Sequence, residues 1–157
     1  MPTAKRETKQ QAVIRRCKAG EMTLSGGAQA LGISLAAMQI LWELELLRKA
    51  PEEDDFGRIR PSEAAIEAAS EAVRKMSKTP GGLPSPADVS TDRDGAIRIL
   101  WENEDRALEL VCPFDSSQRP YFYYAEGREY TLAHDLSVYR LGRLLAWLAG
   151  ALGEFPR

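Results

Sequence analysis

At 157 residues the chain is one ordinary domain or two small ones, and its 44% hydrophobic and 28% charged residues are normal for a globular protein. The net charge of −2 conceals an uneven distribution: residues 1–50 hold eight Lys or Arg against four Glu, and the remainder holds thirteen against nineteen acidic residues. No stretch approaches the roughly 18 uninterrupted apolar residues of a membrane span. The start, "MPTAKRETKQQ", is not followed by the apolar core of a signal peptide, so neither a signal peptide nor a membrane-spanning helix is expected, and the cytoplasm is the expected location.

A basic front and an acidic back fit two units with different partners, two units that attract each other, or an uneven solvated surface. Residues 1–7 are polar and expected to fray. A first helix is predicted over 8–19, with Ala12, Ile14 (or Val13) and Cys17 as its apolar positions and Gly20 as its stop. Ser25 can cap a short second helix through Leu31. Gly32 breaks that helix, and Ser34 caps a third from 35 to about 49, in which Met38, Leu41 and Trp42 keep helical spacing. Glu43 and Glu45 interrupt the apolar run, which makes this helix two-faced.

"APEEDDFGRIRP" (50–61) reads as a linker with prolines near both ends. Ser62 starts a fourth helix, to about Ser77, whose stripe is Ile66, Ala69, Val73 and Met76. "KTPGGLPSPAD" (78–88) holds three prolines and two glycines and suits no regular element. Strands are predicted at 95–101, 107–112 and 121–126, with a fourth possible at 128–133. Their short connections require antiparallel pairing. A last helix is predicted at about 136–152, with Val138, Leu141, Leu145 and Leu148 on one face. Cys17 and Cys112 fall in different predicted units without CxxC spacing, so free buried thiols are expected.

The stretch "TLSGGAQALGISLAAMQILWELELL" (23–47) has helix-turn-helix spacing. Such a unit needs a small residue where its helices cross and, four residues later, a glycine that can turn left-handed. Ala28 and Gly32 meet both demands, whereas Gly27 stands where a larger apolar residue is usual. With Met38 and Leu41 inward, the outward set is Leu35, Ala36, Gln39, Ile40 and Glu43. Only Gln39 is a natural base reader; Glu43 would be repelled by phosphate, and Leu35 and Ile40 would be wasted in a wet groove. A covering protein explains that surface better. The cations lie instead on the first helix, at Arg15, Arg16 and Lys18, where they could touch a nucleic-acid backbone without reading sequence.

Residues 12–48 resemble the small bacterial antitoxins in which a helix precedes "G-x-(x)-S/T-L-x-x-A-A-x-x-x-G-I-S" and a Leu-rich helix follows. Gly20, Thr23, Leu24, Ala28, Gly32, Ile33, Ser34 and Leu46–Leu47 carry the likeness. It implies a protein that neutralises a nuclease toxin by binding it. The charged residues that follow the serine in such proteins are missing after Ser34, which counts against a DNA-regulatory half of that role. Residues 54–133 are similar to a widespread bacterial group without an assigned activity, through Asp55-Phe56-Gly57, "PSEAAIEAA" and "DGAIRILW", the last with Ile99 where the group has Leu. This second likeness implies an α+β fold and nothing about activity.

Chemistry is sparse. His134, the one histidine, stands beside Asp135 at a predicted helix start, which suits a polar helix-start residue better than a catalyst. Neither cysteine has a histidine near it in sequence, and no serine has a nucleophile-elbow setting. The carboxylate clusters Glu52–Asp55 and Glu102–Asp105 fall in turns, and zinc ligation does not suit one His and two distant Cys. "YFYY" (121–124) between Arg119 and Arg128 could stack nucleic-acid bases, but its acidic surroundings favour Phe122 and Tyr124 in the core, with Tyr121 and Tyr123 on an open or partner-covered face.

The expected fold is therefore α+β. A tri-helical helix-turn-helix-like unit (1–50) and a linker (51–61) precede a domain (62–157) of one helix, a three- or four-stranded antiparallel sheet and a C-terminal helix. The expected function is non-enzymatic: a regulator of antitoxin type that binds a partner protein, a toxin or complex subunit, or self-associates, with no cofactor or metal. Leu35, Gln39, Ile40 and Glu43 on the head, or Tyr121 and Tyr123 on the sheet, are the expected contacts. The alternative is a DNA-binding transcriptional regulator using Arg15, Arg16, Lys18 and Gln39.

Overall fold

Hydroxyl side chains set where the helices begin. The computed structural model describes residues 6–156, so the expected fraying of the first residues lies largely outside it. α1 (Lys9–Lys18) starts from a capping box: Thr8 Oγ1 accepts from the Gln11 amide at 3.1 Å, and the Gln11 side chain accepts from the Thr8 amide at 3.0 Å. α2 (Leu24–Leu31) is capped by Thr23, not by Ser25 as expected. Thr23 keeps an extended backbone, and its Oγ1 accepts from the Gly26 amide at 3.0 Å, which places Ser25 inside the first turn. Ser34 caps α3 (Leu35–Arg48) and Ser62 caps α4 (Glu63–Ser77), both as the sequence reads.

Between α2 and α3 the chain turns at Gly32, whose φ of +66° and ψ of +34° lie in the left-handed region that glycine occupies without cost. The two axes meet at 101°, the crossing expected of a helix-turn-helix. Gly27 closes this unit. A Cβ there would stand 2.9 Å from Cys17 Sγ, 3.0 Å from Met38 Cε and 3.2 Å from Val13 Cγ1. Side chains of α1 and α3 therefore fill the volume that a larger residue at this position would supply, which accounts for its departure from the usual pattern.

The sheet has five strands where three or four were expected: β1 (Asp88–Thr91), β2 (Ile97–Asn103), β3 (Arg106–Cys112), β4 (Tyr121–Glu126) and β5 (Glu129–Ala133). They form a meander in the order β1-β2-β3-β4-β5, every neighbour antiparallel. The unforeseen strand is β1, which emerges from the Pro-rich stretch and carries a single large apolar residue, Val89. α5 (Val138–Leu148) begins after Ser137, later than expected. Val138 is exposed rather than on the packing face; Leu144 and Trp147 join Leu141, Leu145 and Leu148 there.

One face of the sheet is buried, through Ile97, Ile99, Trp101, Leu108, Leu110, Cys112, Phe122 and Tyr124. These residues, the α4 stripe of Ile66, Ala69, Val73 and Met76, the inner side of α5, and Val13, Ile14, Met38, Leu41 and Leu44 of the head belong to one contiguous apolar cluster. The stretch between α3 and α4 is an ordered hairpin. Glu53 bridges Ile59, Arg60 N–H donates to Glu52 O at 2.9 Å, and Asp54 Oδ1 accepts from the Phe56 and Arg58 amides. Its C-terminal side is tied to the sheet's end: Ile59 N–H donates to Asp92 O at 3.2 Å, and Ser62 Oγ–H donates to Phe114 O at 2.7 Å. Among the described residues no single helix is long and apolar enough to cross a membrane.

Candidate interaction surface

On α3, Ala37, Met38, Leu41 and Leu44 face the core at the spacing the sequence sets. Leu35, Gln39 and Glu43 are exposed, one turn apart, as expected. Ile40 is not: it is only 2% exposed. It lies in a groove of about 320 Å³ whose other wall is Pro84, Ser85, Pro86 and Ala87. The expectation that Ile40 meets a partner is thus corrected. The Pro-rich stretch folds back across α3 and covers it, as a segment short of backbone donors can do against an apolar helix face. Glu43 lines the same groove; partial loss of solvent, and then the nearby negative charge of Asp88, raise its pKa above the ordinary carboxylate value.

Glu45, one of the two residues that interrupt the apolar run of α3, is buried. Arg48 satisfies it with two hydrogen bonds of 3.1 and 3.2 Å and also pairs with Glu63 at the start of α4. Arg74 of α4 donates to the Gln10 side chain of α1. Gln10, Glu45, Arg48 and Arg74 line a cleft of about 310 Å³ between the head and α4, and these contacts tie the two together.

The three cations that a nucleic acid would need are engaged within the chain. Arg15 Nε donates to Glu7 at 2.9 Å, and this bond together with the charge of Glu7 raises the Arg15 pKa further. Arg16 faces Glu21 at 3.5 Å, and Lys18 Nζ sits 5.7 Å from the centre of the Trp42 ring. All three side chains nonetheless lie at the surface.

The sheet's second face, away from α4 and α5, is built by alternation. In β4, Phe122 and Tyr124 point into the core, and Tyr121 and Tyr123 are half-buried on the opposite side, as the sequence reads. Register then places Leu132 of β5 beside Tyr123, and Tyr130 beside Ala125. Tyr130 is 70% exposed and Leu132 is 53% exposed. The Tyr123 and Tyr130 rings lie 5.9 Å apart, and Tyr121 lies 5.7 Å from the His134 ring. Sequence reasoning stopped at Tyr121 and Tyr123; the same alternation carried through "EYTLA" would have added Tyr130 and Leu132. Further in, Arg98 reaches both Asp92 (2.9 Å) and Glu109 (2.7 Å).

His134 is exposed; of the carboxylates expected in turns, Glu104 and Asp105 form the β2–β3 turn, whereas Glu102 belongs to β2 and Glu53 is bridged to Ile59. Among the described residues no group of three or more His, Cys, Asp or Glu side chains could hold a metal ion. Both cysteines are free; Cys17 is half-buried rather than fully buried, and burial pushes the Cys112 thiol up to about 12. Comparisons with family models, curated proteins and solved structures find no match for the chain.

Proposed function

We propose that the chain is a non-enzymatic regulator of antitoxin type, acting in the cytoplasm, that binds a partner protein through the second face of its sheet. The observation that carries this reading is the aromatic surface of Tyr121, Tyr123 and Tyr130 with Leu132, on the side of the sheet opposite α4 and α5. Tyrosine is the side chain most suited to such a role, because it buries a large apolar body at small entropic cost and keeps a hydroxyl for a hydrogen bond. On the head, Leu35, Gln39 and Glu43 form a narrower stripe that the same partner could reach; Ile40 is withdrawn beneath the Pro-rich segment.

The test is capture from an extract of the native host with tagged wild type and with two variants. A specific partner should be retained by the wild type and by Gln39→Ala, and lost from a Tyr121→Ala/Tyr123→Ala double variant that still gives the wild-type circular dichroism. Retention unaffected by loss of the tyrosines removes the sheet-face reading.

A second reading, a DNA-binding regulator, draws on the 101° crossing of α2 and α3 and uses Gln39, Arg15, Arg16 and Lys18. Those cations would have to exchange Glu7, Glu21 and Trp42 for phosphate. Gel shifts over a salt series separate the two: a regulator loses affinity linearly in log–log form as salt rises, with a slope set by the number of phosphates neutralised.

A further inference from the structure

A five-stranded meander has two open edges, and this one treats them differently. β1 has four residues, follows Pro84 and Pro86, and lies against α3. These are the devices that keep a sheet edge from pairing. β5 follows no proline, and its one charge, Glu129, stands at its start. Its run Tyr130-Thr131-Leu132-Ala133 is free of charge, proline and glycine. Four of the ten large apolar side chains left exposed among the described residues fall between positions 130 and 139: Tyr130, Leu132, Val138 and Tyr139.

The backbone of β5 also has a defined hydrogen-bonding side. The Gly127–Arg128 turn closes on the pair Glu126 and Glu129, and such a two-residue turn makes its closing pair a hydrogen-bonded one. Pairs alternate from there, so Thr131 and Ala133 bond to β4, and the N–H and C=O groups of Tyr130 and Leu132 point out from the sheet.

We propose that β5 pairs antiparallel with β5 of a second copy of this chain, about a two-fold axis through Thr131, to make one continuous ten-stranded sheet. Only residues with outward backbone groups can exchange bonds. A register centred on Thr131 sets Tyr130 opposite Leu132 of the second copy and Leu132 opposite its Tyr130, which engages all four outward groups in each strand. The same register brings Arg128, an exposed cation with no ion pair among the described residues, against His134 and Asp135 of the second copy, twice over by symmetry. Edge, side chains and charge are thus self-complementary, as a two-fold interface requires. The pairing does not depend on what binds the tyrosine face; it places two such faces side by side.

Light scattering and sedimentation of the full chain test this. Wild type should have twice the monomer mass. Leu132→Lys, which places a charge on an already exposed position, should keep the fold by circular dichroism and fall to the monomer mass; Tyr130→Lys serves if that variant does not fold. Thr131→Cys in a Cys17→Ser background should cross-link under mild oxidation, because the central pair is a close, non-hydrogen-bonded one. A monomeric wild type overturns the proposal. So does a dimer that survives Leu132→Lys, one that yields to Leu46→Lys on α3 instead, or one that Thr131→Cys does not cross-link. If the wild type is monomeric alone and its β5 amides resist hydrogen exchange only in complex with a captured partner, the edge belongs to a foreign strand and the proposal also fails.

Discussion

Cys17 Sγ stands 2.9 Å from where a Cβ on Gly27 would be, so the first two helices of the head meet with no room for one more carbon. In an open helix, Gly→Ala is stabilising because alanine has less freedom to lose. Here the sign reverses. The tip of Met38 can swing aside, but Val13 is stiff at χ1 and Cys17 is anchored through its thiol to Thr23 O at 3.5 Å. Gly27→Ala should lower stability by about 1 kcal/mol, the small end of overpacking, read as a drop in the urea midpoint with an unchanged slope. A rise in the midpoint would mean the crossing can relax.

Ile40 sorts surface from core on α3. Because it is buried beneath the Pro-rich segment, Ile40→Ala should cost about 3 kcal/mol, as do other large aliphatic side chains truncated in a core. The exposed neighbour Gln39→Ala should change stability by less than about 0.5 kcal/mol. Thermal melts of the pair decide the matter; equal, small effects would place Ile40 back at the surface.

Asp92 gives the sheet an acid-sensitive corner. Burial alone would raise its pKa, but the Arg98 guanidinium and the amides of Ala96 and Asp94 outweigh that and hold it below the usual carboxylate range. A carboxyl depressed in the folded state contributes stability that is complete above its unfolded value and disappears as pH falls through its folded value. Asp92→Asn should therefore cost about 1–2 kcal/mol at neutral pH, and the difference from wild type should vanish in strong acid. Urea titrations at several pH values measure it; a constant gap across pH would show that the charge is not involved.

Arg106 joins three parts of the fold from β3. Its Nε donates to Glu126 of β4 at 3.1 Å, its Nη1 to the carbonyls of Trp147 and, at 3.1 Å, Leu152, and its plane lies over the Trp147 ring with 5.3 Å to the centroid. A cation at a helix C-terminus also meets the negative end of the dipole. Asn103 adds a 2.7 Å bond to Leu148 O. Arg106→Ala should cost about 2–3 kcal/mol and release the last residues, seen as faster amide exchange beyond α5. Arg106→Lys should recover only part, since a lysine cannot span a carboxylate and two carbonyls at once.

The helices, and the caps of α3 and α4, were legible because each is announced locally: Ser34 and Ser62 precede apolar stripes at helical spacing, and Gly32 supplies the left-handed turn. Ser25 was a competing hydroxyl two residues after Thr23, and sequence alone does not say which of two neighbouring caps the chain adopts. β1 escaped notice because Asp88-Val89-Ser90-Thr91 has too few apolar residues to alternate; it is a strand because β2 offers it a partner. The inward and outward split of Tyr121 to Tyr124 followed directly from strand periodicity. Ile40 could not be placed from periodicity, since its cover comes from Pro84–Ala87, more than forty residues along the chain. The burial of Glu45 was illegible for a related reason: nothing in the sequence announces that Arg48, three residues on, turns back to pair with it.

The hairpin at Glu53–Ile59 bears on how the molecule responds as a whole. With Ile59 fastened to Asp92 and Ser62 to Phe114, the junction between head and sheet has no slack to pay out. Head and sheet, which also share one apolar cluster, should therefore lose their structure together in a single transition rather than one after the other.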